Sequence, residues 1–182
     1  MEKFILQTHR LELRLIEMVD VKDIHRLHSI PETDEFNTLG IPESLEETKR
    51  IIEPWIKANN ASEIRNYTLA IKHKVNNEFV GLLGLRLGSK KYRRAEIWYK
   101  LHIDYWNKGL ATEMVREILD YGFNVLNLHR IEAGCAVDNI GSARVLEKVG
   151  MKKEGLRRQI LPLKNGWSDS FEYAMLESDE RI

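Results

Sequence analysis

One step along the chain restricts the fold more than any other. Residues 95–101 read as a strand. Ala111, Met114, Val115, Ile118 and Leu119 then recur at the i, i+3, i+4, i+7, i+8 spacing of a helix, with Thr112, Glu113, Arg116, Glu117 and Asp120 on the other face. Residues 130–137 alternate again, with Ile131, Ala133, Cys135 and Val137 on one side. A strand–helix–strand step places its two strands parallel in one sheet. The chain therefore predicts a parallel pair within a mixed sheet.

The rest of the sequence supplies the other elements. Residues 11–16 alternate as a strand. Asp20 is placed to cap a short helix that turns Val21, Ile24 and Leu27 inward, and Pro31 ends it, with a loop to Pro42. Ser44 and Glu47 fit a capping box before a helix over residues 45–59, in which Pro54 predicts a kink or break. A three-strand meander follows over residues 66–72, 79–87 and 95–101. Its middle strand is apolar almost throughout, as a strand buried on both faces would be. After the parallel step come a helix from Ile140 to Val149 stopped by Gly150, and two strands over residues 156–163 and 168–176 around the hairpin dipeptide Asn165-Gly166.

Bulk properties exclude several classes. The 182 residues suit a single domain spanning 1–182, and 43% of them are apolar, enough for a sizeable core. The 28 basic residues balance the 28 acidic ones, so no global field points to nucleic acid or an anionic membrane. The lone Cys135 permits no intramolecular disulfide and no cysteine-based zinc site, and no metal is expected. No signal-peptide run opens the chain, and no stretch nears the roughly 20 apolar residues of a membrane span. These features predict a cytoplasmic protein. Monomer and homodimer both remain open.

The chemistry concentrates where the 95–101 strand meets the next helix. Gly109 and small residues there let the backbone approach a ligand, and the helix N-terminus offers free N–H groups and a positive dipole end. That is an anion site suited to a pyrophosphate, to which Lys108 adds charge. By itself the segment also reads as an ordinary tight connection.

Several spaced motifs in register narrow the reading. They are Ala95-Glu96-Ile97-Trp98-Tyr99-Lys100-Leu101, then Tyr105-Trp106-Asn107-Lys108-Gly109-Leu110-Ala111-Thr112-Glu113. Further on come Arg130-Ile131-Glu132-Ala133, Val137, Asn139, Ser142, Val145-Leu146-Glu147-Lys148, Gly150-Met151 and Glu154-Gly155 before Arg157. Together they resemble the GNAT (Gcn5-related) N-acetyltransferases, and among these the RimJ/RimL-like ribosomal-protein acetyltransferases. The resemblance implies an α/β fold with a central, mostly antiparallel sheet. Its one parallel strand pair would splay around an acyl-CoA site, with helices on both faces. It implies acetyl-CoA as co-substrate and direct transfer to a primary amine through a tetrahedral intermediate. Backbone groups of Lys100, Leu101, His102 and Ile103 would hold the pantetheine arm. Those of Asn107, Lys108, Gly109, Leu110, Ala111 and Thr112 would hold the pyrophosphate. Asn139 and Ser142 would meet the pantetheine and the sulfur end; as a pair they are also ordinary helix-capping residues.

Departures from the family pattern mark the catalytic centre. Trp98 and Lys100 flank Tyr99 where the family has Gly and Trp, which reshapes the acceptor pocket. Leu146 stands where many members carry a tyrosine that protonates the leaving thiolate. Ser142 is the first substitute and Cys135 the next, although the alternation of residues 131–137 reads Cys135 as a plain buried thiol. Backbone N–H groups at a bulge near Tyr99 to Leu101 would receive the oxyanion. Glu96 is the candidate base, with a structural ion pair as its competing role. The acceptor is read first as a protein N-terminal α-amine, with a small amine such as a polyamine, aminoglycoside or amino-acid-like metabolite as the alternative. A sensor that binds acyl-CoA without turnover is the third reading. Glu32, Asp34, Glu35, Glu43, Glu46 and Glu47 crowd residues 31–48, so the acceptor is expected to be cationic unless these side chains only favour a helix N-terminus or a solvated face.

Overall fold

The computed structural model describes residues 4–181; residues 1–3 and 182 of the expected domain lie outside it. One eight-stranded sheet runs through it in the order β1-β2-β3-β4-β5-β6-β8-β7. The strands are β1 (Ile5–Gln7), β2 (Leu11–Leu15), β3 (Asn66–His73), β4 (Phe79–Leu87), β5 (Arg94–Leu101), β6 (Arg130–Ala136), β7 (Lys152–Leu163) and β8 (Gly166–Leu176). All neighbours are antiparallel except β5 and β6. That exception is the parallel pair the sequence predicts. The crossover helix α4 (Leu110–Asp120) joins the two strands.

Helices cover both faces, and each face has its own core. α4 and α5 (Ile140–Lys148) lie on one, where Met114, Val115, Ile118 and Leu146 pack against Leu83, Leu85, Ile97 and Ile131. α1 (Val21–His28) and α3 (Leu45–Asn59) lie on the other, where Ile24, Leu27 and Ile52 meet Ala70, Phe79 and Leu82. β4 supplies both cores and is buried from Phe79 to Leu85, as its unbroken apolar run requires. Among the described residues no helix is long and apolar enough to cross a membrane.

Local chemistry departs from expectation at several points. Asp20 does not cap α1 with its side chain. It forms a fork with Arg14, at 2.6 and 2.8 Å, and accepts from the Glu17 N–H at 2.9 Å. Ser44 caps α3 by accepting from Glu47 N–H, but the Glu47 carboxylate reaches back to the Glu43 N–H, one residue earlier than a capping box. α3 runs unbroken through Pro54. Pro31 ends α1 and also opens a single turn, α2 (Pro31–Asp34), where a loop was expected; its fixed φ suits a first helical position.

Two close approaches shape β5. Gly84 lies opposite Trp98, and the indole crosses the space a Cβ would fill. A large ring at position 98 is thus matched by a missing side chain across the ladder. Gly81 lies opposite Leu101, and a Cβ there would sit 2.2 Å from the Lys100 carbonyl oxygen. Backbone cannot swing aside as a side chain can. Gly81→Ala is therefore expected to cost about 1–3 kcal/mol, the usual range for overpacking. Urea unfolding would show this as a lower midpoint with an unchanged slope.

Candidate functional site

The site begins where a sheet stops being a sheet. β5 and β6 pair at Arg94–Arg130, Ala95–Ile131 and Glu96–Glu132 and then separate. β5 nevertheless stays on β4 as far as Leu101, and β6 stays on β8 as far as Ala136. A wedge opens between them with unpaired backbone along its β5 edge. Hydrogen-bonding direction alternates along an antiparallel strand. Gly88 donates to Arg94 and His102 donates to Val80, so even-numbered residues turn their backbone groups to β4. Odd-numbered Ile97, Tyr99 and Leu101 turn theirs away from β4.

This alternation divides the backbone groups of the segment expected to hold the pantetheine arm. Lys100 turns its backbone groups to β4, and His102 donates its N–H to Val80 while its carbonyl accepts from the Tyr105 N–H at 3.0 Å. The Ile103 carbonyl accepts from the Trp106 N–H at 3.1 Å, and the Leu101 carbonyl from the Trp106 indole at 2.9 Å. The Ile97 N–H closes the last rung of the parallel pair on Glu132, so the groups turned into the wedge are the Ile97 carbonyl, both groups of Tyr99 and the Leu101 N–H. No bulge creates them, because the β4–β5 register runs without a shift.

At the wide end of the wedge sits the loop into α4. Asn107 and Gly109 take left-handed backbone angles, φ 58° and 74°, which turn the chain sharply into the helix. The first intrahelical bond is Glu113 N–H to Gly109 O at 3.1 Å. The Leu110, Ala111 and Thr112 N–H groups precede it and point out of the helix end. The Leu110 side chain is buried, so only its backbone is available to a ligand. A clamp that sequence reasoning missed braces this loop. Arg10 donates to the Lys108 carbonyl at 2.9 Å and to Glu113 Oε2 at 2.7 Å, while Thr8 and the Arg10 N–H donate to Glu113 Oε1. Its partners lie some hundred residues apart, beyond any local pattern.

Across the wedge stands the start of α5. Asn139 caps it, its Oδ1 accepting from Ser142 N–H at 3.0 Å. The Ser142 hydroxyl lies 2.8 Å from the Tyr99 hydroxyl, which bridges the opening between β5 and α5. Burial raises the Tyr99 pKa, so the phenol keeps its proton. Position 146 carries no hydroxyl, and the phenol at this opening comes from β5. Leu146 itself lies in the core. The readable signal was alternation, which puts Tyr99 with Ile97 and Leu101 on a buried face where a phenol needs a partner. Cys135 is a buried thiol whose pKa is pushed up to about 11 by burial, with Glu147 and Glu172 adding to it. That environment disfavours the thiolate.

The opposite face of β5 carries Glu96, Trp98 and Lys100. Glu96 is exposed and ion-paired with Arg86, the competing role held for it. Trp98 packs on Trp55 of α3, ring centroids 5.8 Å apart. Lys100 is buried, its Nζ 3.1 Å from His28 Nδ1. Beside it Asp34 lines a groove of about 350 Å³ between residues 34–41 and residues 162–164. Of the acidic run, Asp34 is buried, Glu47 caps the approach to α3, and Glu46 pairs with Lys49 at 2.6 Å. Glu32, Glu35 and Glu43 stay exposed.

A strand pair that parts beside the N-terminus of its own crossover helix, closed by a hydroxyl pair, has the chemistry to receive a long ligand ending in an anion. The comparisons specify the class. The Acetyltransferase (GNAT) domain matches residues 10–152. The chain is 35% identical over 157 residues to the uncharacterized N-acetyltransferase YoaA of Bacillus subtilis, covering 86% of this chain and 88% of that protein. A solved GNAT-family acetyltransferase from Bacillus anthracis, 29% identical, superposes with a TM-score of 0.82 over 96% of this chain and 99% of its own. The spermidine N(1)-acetyltransferase of Vibrio cholerae is 26% identical over 146 residues, 80% of this chain and 81% of its own length. The chain belongs to the GNAT acetyltransferase family and is an acyltransferase.

The buried lysine has a measurable signature. Burial pushes the Lys100 pKa down to about 8 from 10.5, the nearby Asp34 charge opposing part of the shift. Between these values the folded protein binds fewer protons than the unfolded chain, so Lys100 makes stability rise with pH there. The stability of the parent minus that of Lys100→Met is expected to increase from pH 8 towards pH 10.5. Urea titrations of both proteins at each pH would measure it; a constant difference would place Lys100 in solvent-like surroundings.

Proposed function

We propose that the whole chain acts as one domain that moves the acetyl group of acetyl-CoA onto a primary amine of a cationic acceptor. The observation that carries this is the β5–β6 wedge ending on the N-terminus of α4. A pantetheine arm lying in the wedge would meet the Ile97 carbonyl, the Tyr99 backbone groups and the Leu101 N–H as a neighbouring strand would. Its pyrophosphate would meet the Leu110, Ala111 and Thr112 N–H groups and Lys108. The thioester would then lie beside Tyr99, where a wedge N–H would face the developing oxyanion and the Tyr99–Ser142 pair the leaving sulfur. The single buried thiol accords with a reducing cytoplasm.

The acceptor is read as a protein or peptide N-terminal α-amine. An α-amine with pKa near 8 is roughly a tenth neutral at pH 7, whereas a lysine is almost wholly charged. A polyamine is the second reading, favoured by the likeness to spermidine N(1)-acetyltransferase. Both are cationic, and both suit a groove with Asp34 at its edge and indoles of Trp55 and Trp98 on the same face.

A thiol-release assay over spermidine and matched basic and acidic peptides tests the reading. Thiol release with a basic amine is expected, with an advantage over the acidic peptide that shrinks as the Debye length falls from about 10 Å at 0.1 M salt to about 3 Å at 1 M. Gly109→Glu is expected to abolish acetyl-CoA binding in calorimetry, because it adds a carboxylate and a strained left-handed residue at the helix N-terminus. Unchanged affinity in a folded Gly109→Glu protein would overturn the cofactor site.

A further inference from the structure

Between β5 and the α1–α2 turn the protein buries three ionisable side chains together. His28 is 1% exposed, Lys100 5% and Asp34 7%. Lys100 is held by His28, whose pKa burial pushes down to about 3, with Lys100 and His25 adding to the effect. His28 is therefore neutral and can accept from the lysine at Nδ1. Yet His28 Nε2 and Asp34 Oδ1 are fully buried with no hydrogen-bond partner among the described residues. Buried polar atoms are nearly always paired, because their desolvation is otherwise uncompensated. The packing closes around hydrogen-bonding capacity that the chain does not itself use.

The cluster also has the right placement. Lys100 lies on the part of β5 that has parted from β6, next to Tyr99 but on the opposite face. Asp34 joins it to the groove between residues 34–41 and 162–164. Glu96, four residues back along the strand, is roughly 13 Å away and held by Arg86.

We propose that Lys100 is the base of the acetyl transfer, taking the proton from the acceptor's ammonium group while Asp34 holds that group and His28 positions the lysine. The inference rests on the acetyltransferase reading above. The acceptor arrives as an ammonium ion and passes one proton to the neutral Nζ of Lys100. Its freed lone pair forms the C–N bond to the thioester carbonyl carbon, and the C–S bond breaks. The departing thiolate takes the second proton of the nitrogen through the Tyr99–Ser142 hydroxyls. Lys100 then returns its proton to water.

The surroundings suit this role. From α1, His28 and His25 face the cluster, the latter bonded through Nδ1 to Thr48 at 2.8 Å. From α2 comes Asp34. From β4 the opposing residue is the apolar Leu82, and α3 contributes the uncharged Trp55 beside His28. Lys164 lines the groove near Asp34. With a pKa of about 8, Lys100 is within reach of both protonation states near neutral pH, as a general base must be.

The test compares turnover of three proteins from about pH 6 to about pH 10, with whichever of spermidine or a basic peptide the parent acetylates faster. Lys100→Arg keeps the cation but cannot lose its proton. Lys100→Cys in a Cys135→Ser background, aminoethylated while unfolded and then refolded, restores an amine of lower basicity. The parent is expected to show a kcat that rises through a limb near pH 8. Lys100→Arg is expected to bind acetyl-CoA as the parent does and to lose turnover by about 100-fold or more, together with that limb. The aminoethylated protein should regain turnover with the limb moved to lower pH, and this arm decides the matter if the arginine variant fails to fold. Parent-like kcat in Lys100→Arg, or an aminoethylated limb that stays at the parent's pH, would overturn the assignment. A parent that releases no thiol with any amine would instead overturn the acetyltransferase reading, and the base would fall with it.

Discussion

The parting of β5 from β6 after the Glu96–Glu132 pair is the constraint on which the rest of the site depends. A sheet normally leaves no inner strand with unpaired backbone, since such an edge invites pairing with any extended chain. Here the edge is kept, and it is short. Each strand holds its outer partner, β4 or β8, so the opening costs only the few bonds the two would have made with each other. α4 begins at its wide end and α5 stands across it. Edge, helix N-terminus and hydroxyl pair therefore converge without any residue needing an unusual side chain.

The second constraint is the two-residue period of a strand. It sends Tyr99 to the α5 face, where Ser142 meets it, and Lys100 to the α1 face, where His28 and Asp34 meet it. One strand thus presents a proton donor on one side of the proposed thioester position and an ionisable amine on the other. Trp98 shares the lysine's side, and its indole fits only because Gly84 lies opposite. The two departures from the family pattern around Tyr99 are coupled to compensations on other elements, a glycine on β4 and a histidine on α1.

How much of this was legible follows from the range of each interaction. The parallel pair was legible because period changes at residues 95–101, 111–119 and 130–137 are local and topology follows from them. β1 was not, since three edge residues carry no pattern, and β7 began earlier than expected because residues 152–155 are exposed on both faces and show no alternation. The glycine turn into α4 at Gly109 and the α5 cap by Asn139 were legible from residue type, though not the left-handed angle at Gly109. Which backbone groups of β5 turn away from β4 was not legible, since hydrogen-bond direction depends on which neighbour β5 pairs with. The Arg10–Glu113 clamp and the Lys100–His28–Asp34 cluster join segments brought together only by folding. The lysine was noted in the sequence, but its burial was not.

Amide hydrogen exchange with and without acetyl-CoA tests the central claim most directly. The account predicts new protection at Tyr99 and Leu101 on the β5 edge and at Leu110, Ala111 and Thr112 at the start of α4. Lys100 and His102, whose N–H groups already face β4, should change little. Protection that appears at other segments while both of these sets stay unchanged would contradict a cofactor site in the wedge.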